Sequence, residues 1–423
     1  MTATHTLAEV ASCVSDYDPN ALPVASAQQV IERFVSPVRA VERVALREAL
    51  DRVLARDVIS PIDVPAHDNS AMDGFALRSP DLAAGGETRL RVVGTAYAGA
   101  PFTGAVGPGE AVRIMTGAVM PAGCDTVVVQ EIARVDGDLV LVPAGQEPGQ
   151  HRRRRGEDLA AGRAALPEGK ILSPADLGLL ASLGVAEVPV RRRLRVAFFS
   201  TGDELRSIGE PLGPGTIYDS NRYTIHGMLR RLGVELIDMG VVHDSPEALE
   251  EAMRTASGCA DAIVSSGGVS VGEADFTREV MARLGDVSFW KIAMRPGRPM
   301  AFGRIGDAIY FGLPGNPVAV MITFYFFARD AMLRMMGARH VRQPYLRARS
   351  ASALRKKPGR TEYQRGVLSV GADGAMEVKL TGSQGSGVLR SMSEANCIVV
   401  LHHGQGSVAA GEPVDCLAFD GLV

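Results

Sequence analysis

Apolar positions in this chain switch between helical and strand spacing in blocks long enough to be domains. Residues 1–25 show neither period and read, by composition, as a flexible N-terminal tail. Over 24–54 the spacing is helical: Ala27, Val30, Ile31 and Phe34 recur on one face, and 44–54 repeats the pattern after Pro37 breaks it. The block 60–149 is rich in Gly, Pro, Val and Thr. Its short apolar runs at 90–93, 111–115 and 126–129 predict a small β domain. Residues 151–190 turn partly helical again, with Ser173 as N-cap and Pro174 at the first helical position. Helical segments on both sides of a β block predict one domain interrupted by another.

From 191 to 337 strands and helices alternate. The strand candidates are 194–199, 234–242, 261–266, 287–292 and 308–311; the helix candidates are 222–232, 246–256, 275–284 and 317–336. Such alternation predicts an open, doubly wound parallel sheet with helices on both faces. Ligands then bind beyond the C-terminal ends of the strands. The loops there are 200–204, 243–245, SSGGVSVG and GLPGN, and all carry small, hydroxyl or acidic residues. After 337 the runs 345–353, 366–370 and 398–401 predict a small β-barrel or sandwich.

At 423 residues the chain has room for two to four domains. Its 46% hydrophobic and 22% charged content suits a globular core. A net charge of −3 gives no argument for nucleic acid. Cys13, Cys124, Cys259, Cys397 and Cys416 are scattered, which argues against a zinc site or disulfide framework and fits a reducing compartment. No apolar leader is visible, and the longest apolar stretch, 318–328, falls short of the roughly 20 residues that cross a bilayer. The expected setting is cytoplasmic, without a membrane.

The most informative segments are SSGGVSVGEAD (265–275) and GLPGNP (312–317), each placed after a strand and before a helix. Small residues at such a junction let backbone N–H groups approach a ligand, and the helix start favours an anion. Ser265, Gly267, Gly268 and Ser270 on one loop, with Pro314, Gly315, Asn316 and Pro317 on the other, suggest a shared phosphate or oxyanion crevice. Neither loop matches a P-loop or a dinucleotide fingerprint. Helix capping alone would also explain Asn316-Pro317. Glu273 and Asp275 can serve as partners of the helix dipole, or Asp275 can hold a divalent cation beside phosphates.

Asp203 and Glu204 end a strand in TGDE and suit a metal or ribose site, with helix capping an equal explanation for Asp203 alone; Asp244 ends another strand, where Asp-Ser-Pro taken alone reads first as a helix cap. Asp68 and Asp73 lie in a turn-forming segment and could each hold Mg²⁺. The run His151–Asp158 is the strongest charge cluster, with Glu157 and Asp158 available for local pairing. Lys291, Arg295 and Arg298 form a second basic set on a loop stiffened by Pro296 and Pro299, suited to anion binding. No serine-hydrolase elbow or H-E-x-x-H motif is present.

Together these segments resemble the MoeA-type molybdopterin molybdenumtransferases, a family that includes the E domain of gephyrin. The resemblance rests on PAHDNSAMDGFA (65–76), RIMTGA (113–118), RRRGEDL (153–159), STGDEL (200–205), IYDSN (217–221), SSGGVSVGEAD and GLPGNP, in family order. It implies an α/β multi-domain architecture. The expected parts are an N-terminal tail (1–25), an elongated helical domain (26–59 and 150–190), a β insert (60–149), a doubly wound molybdopterin-binding domain (191–337) and a C-terminal β-barrel (338–423). It also implies a homodimer in which the crevice of one copy faces the β insert of the other. Asp73, Thr116 and Asp158 would then complete the site in trans.

The implied reaction takes adenylated molybdopterin and molybdate, cleaves the phosphoanhydride with Mg²⁺, places the metal in the dithiolene and releases AMP. The implied catalytic residues are Asp73, Glu204, Asp244 and Asp275, with Asp275, Glu204 and Asp244 as metal ligands. The implied substrate-binding residues are Thr116, Asp158, Ser265, Gly267, Gly268, Ser270, Lys291, Arg295, Arg298, Pro314, Gly315, Asn316 and Pro317. An adenylating protein is an implied partner. Two departures matter: many relatives carry Lys where this chain has Arg295 and Arg298, and many continue GNPVS where this chain has Ala319. A non-catalytic scaffold of the gephyrin type, a nucleotide-binding regulator and a tungstate-preferring variant remain alternative readings. Retention of Asp73, Glu204, Asp244 and Asp275 favours an enzyme.

Overall fold

The computed structural model describes residues 6–14, 17–268 and 274–420, with the side chains of 274–276 outside that description. Its centre is a six-stranded sheet. The strands are β1 (Arg195–Thr201), β2 (Glu235–Val242), β3 (Ala262–Ser266), β4 (Gly285–Lys291), β5 (Pro299–Ile305) and β6 (Ala308–Leu313), in the order β2-β1-β3-β6-β5-β4. Alternation along each strand builds two cores. Val196, Phe198, Val264 and Phe311 face the helices Val24–Phe34, Ser220–Arg231 and the run 317–335. Ala197, Phe199, Ile263 and Tyr310 face Pro246–Cys259 and Ala274–Leu284.

The expected all-parallel sheet is corrected at one side. β2, β1, β3 and β6 are parallel, but β5 and β4 run antiparallel to their neighbours. Only Gly306 and Asp307 separate β5 from β6, and so short a link can join only antiparallel strands. The expected helix 317–336 is also modified: a π-helical segment, Phe324–Ala328, lies between Pro317–Thr323 and Arg329–Met335. All five residues of that segment are buried.

Two expectations for the N-terminal third are overturned. The supposed tail contains a helix, Leu7–Ser12, closed by a capping box between Thr6 and Glu9 and buried through Leu7, Val10 and Ala11. It is too short to show a period. The supposed helix over 44–54 is instead a strand, Val41–Ala45, followed by a 3₁₀ turn. That strand pairs with Glu187–Arg191, a partner far away in sequence. The true helix, Val24–Phe34, packs its apolar face into the central α/β core, so it does not belong to a separate helical domain. The helix Pro174–Ser182 begins as expected, with Ser173 and Asp176 forming a capping box.

The insert is a six-stranded sheet with apolar clusters on both faces, Phe75, Leu77 and Val128 on one and Ala76, Val112 and Val127 on the other. Near the C-terminus, strands Leu346–Ser350, Thr361–Val370, Met376–Leu380, Cys397–Leu401 and Pro413–Ala418 close into a five-stranded barrel. The short strand Met294–Arg295 pairs with the start of Thr361–Val370 and ties the basic loop to the barrel.

Candidate active site

The starts of the two glycine loops lie side by side, because β3 and β6 are adjacent and parallel, with Ser265 opposite Gly312 and Ser266 opposite Leu313. Gly267 donates its N–H to the Leu313 carbonyl at 3.2 Å. Its φ is +97°, and a Cβ there would lie 2.3 Å from the Thr201 carbonyl oxygen. Only glycine fits this contact between the loops after β1 and β3. A Cβ added to Gly315 would lie 3.9 Å from the Gly267 Cα, so even a methyl group there would reach the facing loop.

One side chain missed as a positioning group holds them together. Asn221, in the first turn of Ser220–Arg231, donates to the Ser266 hydroxyl at 2.8 Å and to the Gly315 carbonyl at 2.7 Å. The sequence signal was its place in IYDSN, but its partners come from two distant loops. The Asn221 carbonyl oxygen and the hydroxyls of Ser200 and Thr277 are buried without a hydrogen bond. A buried polar atom left unpaired costs about 1–3 kcal/mol.

The expected residues divide as follows. The Ser265 hydroxyl turns into the sheet and bonds the Tyr310 hydroxyl at 2.7 Å, away from the crevice. Burial pushes the Tyr310 phenol up, with the Ser265 bond opposing, so this pair stays neutral. Ser270 lies outside the described residues. Asp275 lies in the helix Ala274–Leu284, but its side chain is outside the description. Asn316 is the N-cap of the run 317–335 by backbone geometry, yet its side chain makes no capping bond and it is exposed at the loop tip beside Gly315. Pro314 is buried beneath them, and Pro317 opens the helix.

At the next strand ends, the Thr201 hydroxyl donates to Asp244 at 3.2 Å, and the Asp244 N–H donates to the Asp203 carboxylate at 3.3 Å. The acid brought against Asp244 is therefore Asp203. The Glu204 carboxylate instead folds back on Gly202, where a Cβ would lie 2.7 Å from it. Among the described residues no three His, Cys, Asp or Glu side chains converge to hold a metal ion.

The basic loop sits beside the helix that GLPGNP starts. Gly297 has φ +88°, and a Cβ there would lie 2.6 Å from the Thr323 hydroxyl and 3.3 Å from the Ala319 carbonyl. Ala319 is buried at this contact. Arg295 and Arg298 are exposed and Lys291 is half-buried. None of the three makes an ion pair with a described residue, whereas Arg192, Arg222, Arg329 and Arg347 each do. A second missed residue, Arg365, lies buried in the barrel wall. It donates to the Ser391 hydroxyl at 3.0 Å and to the Ser383 and Gly385 carbonyls at 3.2 and 3.0 Å. Burial, and then the charge of Arg295, lower its pKa to about 10, which leaves it cationic. The loop it braces reaches the crevice, because the Val318 N–H donates to the Ser386 carbonyl.

In the insert, Asp73 accepts from the Thr116 N–H at 2.7 Å and from the Thr116 hydroxyl at 2.8 Å. The backbone bond, then the hydroxyl, hold its pKa below the usual carboxylate range. Asp158 is exposed, and its N–H donates to the Val64 carbonyl. Among the basic run, Arg155 pairs with Asp63, and Glu157 accepts from the Arg154 N–H.

Known proteins agree with this layout. Residues 22–184 match the family model described as MoeA N-terminal region (domain I and II). Residues 197–334 match that of a probable molybdopterin binding domain, and 347–419 that of the MoeA C-terminal region (domain IV). A Haemophilus influenzae protein named molybdopterin molybdenumtransferase is 42% identical over 93% of this chain and 98% of its own length. A protein of the same name from a Nostoc species is 39% identical, covering 88% and 87%. The crystal structure of the molybdopterin biosynthesis moeA protein from Pyrococcus horikoshii OT3 has a TM-score of 0.82 at 28% identity, covering 95% of this chain and all of that one. With three family regions matched in order along nearly its whole length, the chain belongs to the MoeA family of molybdopterin molybdenumtransferases.

Proposed function

We propose that this protein inserts molybdate into adenylated molybdopterin and releases AMP. The observation that carries the reading is a set of cations that pair with no anion among the described residues. Lys291, Arg295 and Arg298, backed by Arg365, border glycine loops suited to phosphates. A tetrahedral dianion such as molybdate would satisfy them, and guanidinium forks match its oxygens. The N–H groups of Gly268, Gly315 and Asn316 would orient the phosphates, while Asn221 keeps the two loops in register.

The oxygen donors beside the crevice fit Mg²⁺, which commonly uses one or two carboxylates and takes its remaining ligands from water and substrate phosphates. Asp244 and Asp203, with the Thr201 hydroxyl and the family's Asp275, would hold it, and Glu204 stands next to them. When bound, Mg²⁺ supplies positive charge against the anhydride oxygens. The ionised, exposed Asp73–Thr116 pair makes no contact with its own chain's crevice among the described bonds, which favours a homodimer in which it serves the other copy's site. All five cysteines are free thiols, in keeping with a cytoplasmic setting. Such a labile substrate would be supplied by an adenylating protein.

The test is molybdate saturation of AMP release for Arg295→Ala and Arg298→Ala. The half-saturating molybdate concentration should rise at least about tenfold, the equivalent of roughly 1.4 kcal/mol of lost binding. Unchanged saturation in both variants would overturn the oxyanion assignment.

A further inference from the structure

We infer that Ser70 is a positioning residue for the insert's part of the site: its buried hydroxyl sets the Asp73 carboxylate against the turn that carries Thr116. This inference rests on the proposed function and adds a residue that acts through Asp73 without touching substrate. Ser70 has no exposed surface, and three segments meet on it. Its N–H donates to the Ala118 carbonyl at 3.0 Å, and its carbonyl accepts from the Gly117 N–H at 2.8 Å. Both main-chain groups are thus committed to the Thr116 turn. Across a short ladder Ser70 stands opposite Arg152, and the next residue, Ala71, donates its N–H to the His151 carbonyl at 2.8 Å.

The hydroxyl is the group that reaches toward Asp73. It donates to the Met72 carbonyl at 2.5 Å and accepts from the Met72 N–H at 3.3 Å. These bonds close a tight turn and fix the direction in which the chain enters Asp73. Beyond Asp73 the chain is already anchored, because the Gln130 N–H donates to the Asp73 carbonyl at 3.1 Å and the strand Gly74–Leu77 begins at the next residue. The stretch 71–73 therefore spans two anchors, with the Ser70 hydroxyl bracing its near end. The carboxylate itself is held only by Thr116, whose N–H and hydroxyl both meet the Oδ1 oxygen. Thr116 is exposed, so water competes for both bonds, and their geometry depends on the buried base beneath them. The Oδ2 oxygen has no hydrogen bond to a described residue and stays open to a ligand. One buried hydroxyl thus brings three segments distant in sequence, 69–73, 115–118 and 151–153, into a single register.

The test is a double-mutant cycle in AMP release from adenylated molybdopterin, using Ser70→Ala, Asp73→Ala and the two together. Ser70→Ala should slow release roughly fivefold, the loss expected for one buried hydrogen-bonded hydroxyl. In the Asp73→Ala background the same change should slow release by less than about twofold, because the group it positions is gone. Ser70→Thr keeps a hydroxyl and Ser70→Val has the same shape without one, so the threonine variant should be roughly fivefold faster than the valine variant. An equal loss from Ser70→Ala in both backgrounds, or equal rates for the threonine and valine variants, would overturn the assignment. Hydrogen exchange of the unaltered protein reads the same point without a variant: the Met72 and Thr116 amides should open as one unit, and Thr116 exchanging more than about tenfold faster than Met72 would also overturn it. If these amides open together but the unaltered protein releases no AMP, the positioning of Asp73 stands and the transferase reading fails.

Discussion

Removing the Asn221 carboxamide should loosen both glycine loops at once. Its N–H donors make two bonds, at 2.8 and 2.7 Å, one to each loop. Each bond contributes about 1 kcal/mol net, so Asn221→Ala should cost about 2 kcal/mol. If the reacting geometry depends on the loops staying in register, most of that loss appears in catalysis, a decrease of about 30-fold. Ser266→Ala removes only the first bond and should cost about 1 kcal/mol, roughly fivefold. Added to Asn221→Ala, it should cost little more, because the shared bond is already gone. The assay is single-turnover AMP release from adenylated molybdopterin at saturating molybdate, with thermal unfolding of each variant alongside. Release by Asn221→Ala within twofold of the unaltered protein would refute the claim that this side chain registers the cradle.

Gly297→Ala places a methyl 2.6 Å from the Thr323 hydroxyl at φ +88°, so it should destabilise the loop by about 1–3 kcal/mol and raise the molybdate concentration needed for half-maximal release. Leu7→Ala should lower thermal stability by about 2 kcal/mol, as loss of a buried leucine in a terminal helix, with little effect on AMP release per folded molecule. The Asp73 carboxyl should titrate below an ordinary aspartate by carbon NMR. Because its folded pKa is depressed, its contribution to stability is present above the unfolded value near 4 and is lost as pH falls through the folded value. Thr116→Val should move that titration upward, but not fully, since the backbone N–H bond remains.

What the sequence made legible was local. Small residues after short apolar runs marked the crevice loops, and alternating periods marked the βαβ domain. The strand β5 escaped notice because Gly303 interrupts its pattern; that glycine is required where β4 passes, since a Cβ would lie 2.0 Å from the Asp286 carbonyl. The strand Val41–Ala45 reads equally well as helix, and only its distant partner Glu187–Arg191 decides. Ser265 looked like a crevice hydroxyl because sequence cannot say which way a strand's last side chains turn; Tyr310 on β6 claims it. Asn221 and Arg365 are ordinary residues in sequence. Their roles come from loops that meet only after the sheet and barrel have formed.

The central claim is that anhydride cleavage is coupled to oxyanion capture at one site. The most direct measurement incubates the purified protein with adenylated molybdopterin and Mg²⁺, with and without molybdate, and counts AMP and metal-loaded pterin. The account predicts equal amounts of both products with molybdate and little AMP without it. AMP released at the same rate in the absence of molybdate would contradict it.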